Sequence, residues 1–285
     1  MDKKEIIVVT GSNGWLSQNF LRILNDNNTV NRKIITISAE SDWKKINQPD
    51  YDIHLIHNAF VLPQSNKIKT AQSYHQQLDN LFKDTKNFIE NNNIKSLYYP
   101  SSGLVNIQNN KDSKIYSIYK EQKLKEEEQF TQLSLKYNFT LVVSRIFSMI
   151  GPVNSKLPKS SFISLMTQAI ELNKIIIESD TNDTHSVCFI DHLVNIVIEL
   201  LINSKKGSKY SFDAVDITIS LKNFSLQLAN SLGLKDKDIE DSFNPNQVTN
   251  KYVGSDSQYK TLLNKSNFIK YDLSSYITKI IETSY

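Results

Sequence analysis

Residues 113–130, SKIYSIYKEQKLKEEEQF, hold two tyrosine–lysine pairs at a spacing of four: Tyr116 with Lys120, and Tyr119 with Lys123. On a helix, residues four apart share a face. An ammonium beside a phenol favours the phenolate and lowers its pKa, giving an acid/base usable near neutral pH. A chain with 13 tyrosines and abundant lysine yields such pairs by chance, so spacing alone is a weak signal. Placement is stronger. Both pairs fall in one segment shortly after Ser101-Ser102-Gly103, where a hydroxyl could hold a reacting oxygen, although a plain turn after a strand reads the same way.

A second stretch, EIIVVTGSNGWLSQNF at residues 5–20, spends two of the chain's seven glycines on one turn. An apolar, β-branched run reads as a buried strand, and the residues after the turn read as a helix. In Gly11-x-x-Gly14-x-x-Ser17 the first glycine permits a tight turn. The second lets backbone approach a pyrophosphate, and Ser17 is small enough for helix–strand packing. The helix start supplies unpaired N–H groups for the anion. Gly11, Asn13, Gly14, Trp15 and Leu16 are therefore candidate dinucleotide contacts, the alternative being an ordinary glycine turn. A carboxylate closing the second strand would favour NAD. That strand ends at Ser38, with Glu40 and Asp42 arriving late. No arginine fills the slot for a 2′-phosphate, although Arg32, Lys33, Lys44 and Lys45 are near. Ser38 and Asp42 are candidate cofactor contacts, and NAD and NADP both stay open.

The elements positioning these residues alternate. Strands are expected at 5–10, 33–38, 51–60, 94–103 and 139–147, and helices at 19–28, 74–92 and 116–137. This order predicts a parallel sheet covered on both faces, an α/β, Rossmann-type doubly wound domain over residues 1–151. Beyond Gly151-Pro152 the pattern loosens: helices near 161–172 and 190–203, a strand near 174–178, and polar stretches through 233–260. This half, 152–285, reads as a smaller mixed domain for substrate, with 178–205 packing back on the first domain.

Composition narrows the classes. A net charge of +3 arises from 33 basic and 30 acidic residues interspersed along 285, so no basic stripe points to nucleic acid. No apolar run reaches membrane-spanning length, and the first residues lack a signal-peptide pattern. The single cysteine, Cys188, excludes an intrachain disulfide and a cysteine-rich metal site, and its apolar neighbours predict burial. His54 and His57 lie at odd separation on one strand, face opposite sides and cannot easily share a metal. A cytoplasmic globular protein without a metal site is expected.

Taken in order, these pieces resemble the extended short-chain dehydrogenases/reductases, in particular the NAD-dependent epimerases and dehydratases that act on nucleotide sugars. The pieces are VVTGSNGWLS, DIHLIHNAF, SLYYPSSGLVN, the tyrosine–lysine segment, SRIFSMIGP, VCFIDHLVNIV, YSFDAVDITISLKNFSLQLANSLG and NFIKYDLSSYITKII. No single piece is specific; their joint order across nearly the whole chain is. The resemblance implies a nucleotide-sugar substrate, NAD or NADP as cofactor, and a homodimer formed through two helices per subunit. It implies cofactor contacts at Asn58, Ala59 and Phe60. It selects Tyr119–Lys123, because Glu127 and Phe130 continue that row in the family spacing. Lys123 would also hold the nicotinamide ribose, and Ser102 the reacting sugar oxygen. Arg145, Ser148 and His185 would face the substrate, Ser148 and His185 where relatives carry Asn and Arg. The acid pair that many dehydratases carry after the serine strand reads Gly103-Leu104 here, which disfavours dehydration. Hydride chemistry at a sugar carbon, most simply C4, remains, as epimerase or 4-ketoreductase. The competing expectation is a dinucleotide-binding regulatory or scaffold protein without turnover.

Overall fold

The computed structural model describes residues 4–26, 32–38, 50–61, 71–107, 114–152, 161–177, 181–235, 238–241 and 251–283, with backbone only at 71, 114–116, 161 and 241. The chain forms two compact units: 1–144 with 197–211, and 145–196 with 212–285. The first boundary thus lies at Ser144/Arg145, against the 151/152 expected. The returning segment that joins the first unit is 197–211, against 178–205.

The first unit runs β1 (Lys4–Thr10), α1 (Trp15–Asp26), β2 (Lys33–Ile37), β3 (Tyr51–His57), α2 (Ala71–Asn91), β4 (Asn93–Ser102), α3 (Lys114–Tyr137) and β5 (Thr140–Ile146), whose last two residues belong to the second unit. Strands β2, β1, β3, β4 and β5 lie in that order in a six-stranded sheet, and β2–β1, β1–β3 and β3–β4 pair parallel. Ile6 to Thr10 and Ile53 to His57 are buried without alternation, the pattern of strands covered on both faces. On one side Ile6, Val8, Ile53 and Leu55 pack with Phe88 of α2 and Phe130 of α3. On α1, Phe20 reaches Tyr98 of β4, ring centroids 5.3 Å apart.

Helix α1 starts at Trp15, four residues earlier than its apolar spacing predicts, because it opens directly off the glycine turn. Strand β3 stops at His57, three residues early. The chain leaves the sheet there to pass against Gly11, whose φ is +61° and whose added Cβ would lie 2.8 Å from Asn58 C, Asn58 O and Ala59 N.

The second unit is mixed, as expected. It comprises β6 (Ser148–Ile150), α4 (Ser161–Leu172), β7 (Ile175–Ile177), β8 (Thr184–Phe189), the first half of α5 (Ile190–Asn203), the end of β9 (Lys209–Ala214), β10 (Ile217–Ser220), α6 (Leu221–Leu232), β11 (Ile239–Asp241), β12 (Lys251–Tyr252), α7 (Ser257–Lys265) and α8 (Leu273–Thr283). Strand β9 also forms the edge of the six-stranded sheet. Strand β8 pairs antiparallel with β10 and parallel with β6 and β12. Helix α6 is capped by Ser220, whose Oγ accepts from Asn223 N, and ends on Gly233 in the left-handed conformation. His192 is buried with Asp216: its Nδ1 lies 2.7 Å from Asp216 Oδ1, and its Nε2 accepts from Tyr271 N at 2.9 Å. An accepting Nε2 places the ring proton on Nδ1, so the residue reads as a fixed structural clip for the approach to α8. Cys188 is fully buried, and burial pushes its thiol well up.

The two glycines of the first turn should separate in a denaturation experiment. Gly11→Ala meets both left-handed strain and backbone at 2.8 Å, and should cost at least about 2 kcal/mol. Gly14→Ala, whose Cβ would meet only Gly11 O at 3.2 Å, should cost less than about 1 kcal/mol. Urea unfolding of both variants decides this; equal losses would contradict the assigned roles.

Candidate active site

The glycine turn is closed by its own backbone. Gly14 N donates to Gly11 O at 2.8 Å, and Gln18 N to Gly14 O at 2.9 Å. Ser17 Oγ donates to Thr10 O at 3.1 Å and accepts from Asn58 Nδ2 at 3.0 Å. Ala59 N donates to Thr10 Oγ1 at 3.1 Å. Thus β1, the start of α1 and the loop after β3 are tied together by small polar groups, which brings Gly11, Gly14, Trp15, Leu16, Asn58 and Ala59 to one place. Asn13 is exposed and Trp15 is buried. Two features fit a dinucleotide. Among the described residues, a side chain on Gly14 would meet only Gly11 O, and Asn58 Oδ1 is buried with no hydrogen-bond partner. Ser38 follows β2 directly and is half-buried, while Asp42 lies outside the described residues.

Helix α3 places Tyr119 and Lys123 one turn apart. Lys123 is 3 % exposed. Its Nζ donates to Pro100 O of β4 at 3.1 Å and lies 3.7 Å from Glu126 Oε2. The ammonium sits 3.6 Å from the Phe60 ring centroid, 4.7 Å from that of Tyr99 and 5.8 Å from that of Tyr119. Phe60 meets Tyr119 edge-on at 5.6 Å. The loop after β3, the end of β4 and one face of α3 therefore converge on a single cation. Ser101 and Ser102 differ in use. Ser101 Oγ donates to Glu127 Oε1 at 2.5 Å, whereas Ser102 Oγ accepts from Leu104 N at 3.3 Å and caps a short 3₁₀ turn. In the rival pair, Lys120 Nζ donates to the Ile107 carbonyl, and the Tyr116 side chain lies outside the described residues.

Two groups here were not singled out in the sequence. Glu126 is buried, accepts from Tyr99 OH, and accepts from Gln122 Nε2 at 3.1 Å. Tyr74 of α2 is 1 % exposed, its hydroxyl has no hydrogen-bond partner among the described residues, and burial pushes its pKa well up. The signal for Glu126 was its place three residues after Lys123, hidden within the run Glu126-Glu127-Glu128. Tyr74 carried none.

In the second unit, Ser148 Oγ and His185 Nδ1 are 3.3 Å apart, and the His185 ring meets Phe162 at 5.3 Å and Tyr252 at 5.8 Å. Burial holds His185 below its ordinary value, with Asp183 opposing. Arg145 is half-buried in β5. His54 and His57 are both buried, His54 Nδ1 against Ser96 Oγ at 2.7 Å and His57 Nδ1 against Thr10 Oγ1 at 3.1 Å. Among the described residues, no group of three or more His, Cys, Asp or Glu is placed to hold a metal ion. No described helix is long and apolar enough to cross a membrane.

Residues 7–213 match the model of the NAD dependent epimerase/dehydratase family, well over half of the chain. The chain belongs to that family. It is an enzyme of the extended short-chain dehydrogenase/reductase type, and the family is NAD-dependent. Solved structures share its fold. UDP-N-acetylglucosamine 4-epimerase from Bacillus cereus has 16 % identity and a TM-score of 0.75, covering 98 % of this chain and 96 % of that one. UDP-N-acetylglucosamine 4-epimerase from Methanobrevibacter ruminantium M1, in complex with UDP-N-acetylmuramic acid, has 16 % identity and a TM-score of 0.73 over 99 % and 98 %. UDP-glucuronic acid 4-epimerase from Bacillus cereus, in complex with UDP-glucuronic acid and NAD, has 17 % identity and 0.73 over 98 % and 99 %. No curated protein sequence matches the chain.

In this epimerase/dehydratase-family protein the buried cation is the main electrostatic feature. Burial pulls Lys123 from its ordinary 10.5 down to about 8, with Glu126 and Glu127 opposing. The folded protein therefore holds the Lys123 proton less tightly than the unfolded chain. The stability this lysine contributes is fully present above pH 10.5 and is lost as pH falls through about 8. Between those limits, the stability of the wild type relative to Lys123→Met should rise with pH by about 3 kcal/mol in total. Parallel denaturant curves measure it, and a constant difference across that window would contradict the burial argument.

Proposed function

We propose that the chain is a nucleotide-sugar 4-epimerase in which Tyr119 moves the proton of the sugar hydroxyl. The observation that carries this reading is the convergence of Tyr119, the buried Lys123 ammonium and the serine strand on one face of α3. Lys123 holds a positive charge 5.8 Å from the Tyr119 ring, which favours the phenolate needed to accept a proton. Ser102, on the strand that supplies the Pro100 carbonyl, is the hydroxyl to orient the sugar oxygen. The turn at Gly11 to Leu16, Asn13 included, would hold the pyrophosphate at the start of α1. Asn58, Ala59 and Phe60 of the loop after β3 and Ser38 after β2 would be further cofactor contacts. When bound, NAD supplies the group that takes a hydride from the sugar carbon and returns it. Arg145, Ser148 and His185 are assigned to the nucleotide sugar. The solved 4-epimerases of similar fold support C4 as the reacting carbon.

A 4-ketoreductase using NADPH is the second reading. It is favoured by Ser38 at the end of β2, where a carboxylate would select NAD. We also infer a homodimer through α2 and α3, since Leu124 and Leu135 of α3 are exposed at 42 % and 73 %. Light scattering that gives a monomer mass at micromolar concentration would reject it.

The enzymatic test offers UDP-hexoses with NAD, and 4-keto sugars with NADH and NADPH, to the purified protein. Tyr119→Phe should keep cofactor and sugar affinity while turnover falls by about 10²–10⁴-fold. Tyr116→Phe should change little. A dead Tyr116→Phe beside an active Tyr119→Phe would move the role to Tyr116–Lys120, and two active variants would favour a protein that binds without turnover.

A further inference from the structure

Lys123 is an ammonium almost wholly removed from water, and an isolated buried charge of that kind loses its proton. The groups that face it can be enumerated. Strand β4 contributes Pro100 O at 3.1 Å and the Tyr99 ring at 4.7 Å. The loop after β3 contributes the Phe60 ring at 3.6 Å. His57, from β3, is itself kept neutral, its pKa pushed down to about 3 by burial and by Lys123. On α3, Tyr119 lies at 5.8 Å, Glu126 Oε2 at 3.7 Å, and Glu127 is engaged by Ser101. From α2, Tyr74 stands close enough to Glu126 and Tyr119 to feel both charges. Among the described residues, Glu126 is the carboxylate within ion-pair distance of the ammonium.

Glu126 is as unusual as its partner. It is 5 % exposed on a helix whose neighbouring inward residues, Phe130 and Leu133, are apolar core. Packing alone would place an apolar side chain there, because a buried carboxylate is costly unless paired. Its acceptors are taken by Tyr99 OH and Gln122 Nε2. Tyr99 thus does two things: its ring faces the ammonium while its hydroxyl fixes the carboxylate that balances it.

We infer that Glu126 is a positioning residue for the proposed reaction: its carboxylate keeps Lys123 charged and aimed at the Tyr119 face, so the working unit is Tyr119–Lys123–Glu126. This rests on the assignment of Tyr119 and Lys123 made above. Glu126 meets Lys123, Tyr99 and Gln122, and acts on the reaction through Lys123. Neutralising it at constant shape removes the one carboxylate within ion-pair distance among the described residues and leaves the aromatic walls, so the amine loses its proton at lower pH. The phenol then faces a neutral amine at pH 7.

The test follows the Lys123 amine by NMR on protein with ¹⁵N-labelled lysine, its signal assigned by loss in Lys123→Met. The wild-type midpoint should lie near 8. Glu126→Gln should lower it by about 1–3 pH units. Tyr99→Phe, which takes one hydrogen bond from the same carboxylate but leaves its charge, should move it less than half as far. Glu126→Asp should restore part of the loss. In turnover assays the alkaline limb of kcat for Glu126→Gln should move down with the amine midpoint. An unchanged midpoint in folded Glu126→Gln, or an equal shift in Tyr99→Phe, overturns the inference. If the midpoint moves as stated but turnover survives Tyr119→Phe, the proposed function fails while the role of Glu126 in holding the charge stands.

Discussion

One desolvated cation organises the first unit of this protein. The Lys123 ammonium has left water for a site walled by Phe60 and Tyr99, and it stays there because Pro100 O and Glu126 receive it. Those groups come from three places: Tyr99 and Pro100 from β4, Glu126 from α3, and Phe60 from the loop after β3. The sheet must bring β3 and β4 side by side, and α3 must lie along them, before the charge can be housed at all. A side chain so costly to bury makes sense where its charge is used, which is why it is the centre of the functional reading.

The same economy governs the glycine turn. Gly11 is needed on two grounds that any other residue would fail, a positive φ and backbone at 2.8 Å from where a Cβ would be. That contact pulls the end of β3 out of the sheet and sets the loop of Asn58 to Phe60 against the start of α1. The loop carrying Phe60 to the ammonium is therefore aimed by a glycine almost fifty residues earlier in the chain.

Much of this was legible in the residues. The alternation of short β-branched runs with helical spacing identified the parallel sheet, and helices 161–172 and 190–203 lie where periodicity placed them. The two tyrosine–lysine pairs stood out by their place just after Ser101-Ser102-Gly103, and the family resemblance, through Glu127 and Phe130, selected Tyr119–Lys123 between them. Boundaries were less legible where tertiary contact overrides local pattern. The early start of α1 depends on the turn before it, and the early end of β3 on Gly11. Glu126 was hidden for a different reason: three consecutive glutamates look like a solvated face, and only the packing of α3 on β4 turns one inward. The unit boundary at Ser144/Arg145 falls inside a continuous strand, where no change of composition marks it.

The account stands most directly on the pH dependence of hydride transfer in a single turnover, with the protein, NAD and a UDP-hexose mixed rapidly and nicotinamide absorbance followed. If the Lys123 charge supports proton transfer at Tyr119, the sugar-dependent signal should lose rate as pH rises through about 8, where the amine gives up its proton. A rate that stays level well past that pH, or no sugar-dependent signal at any pH, would contradict it.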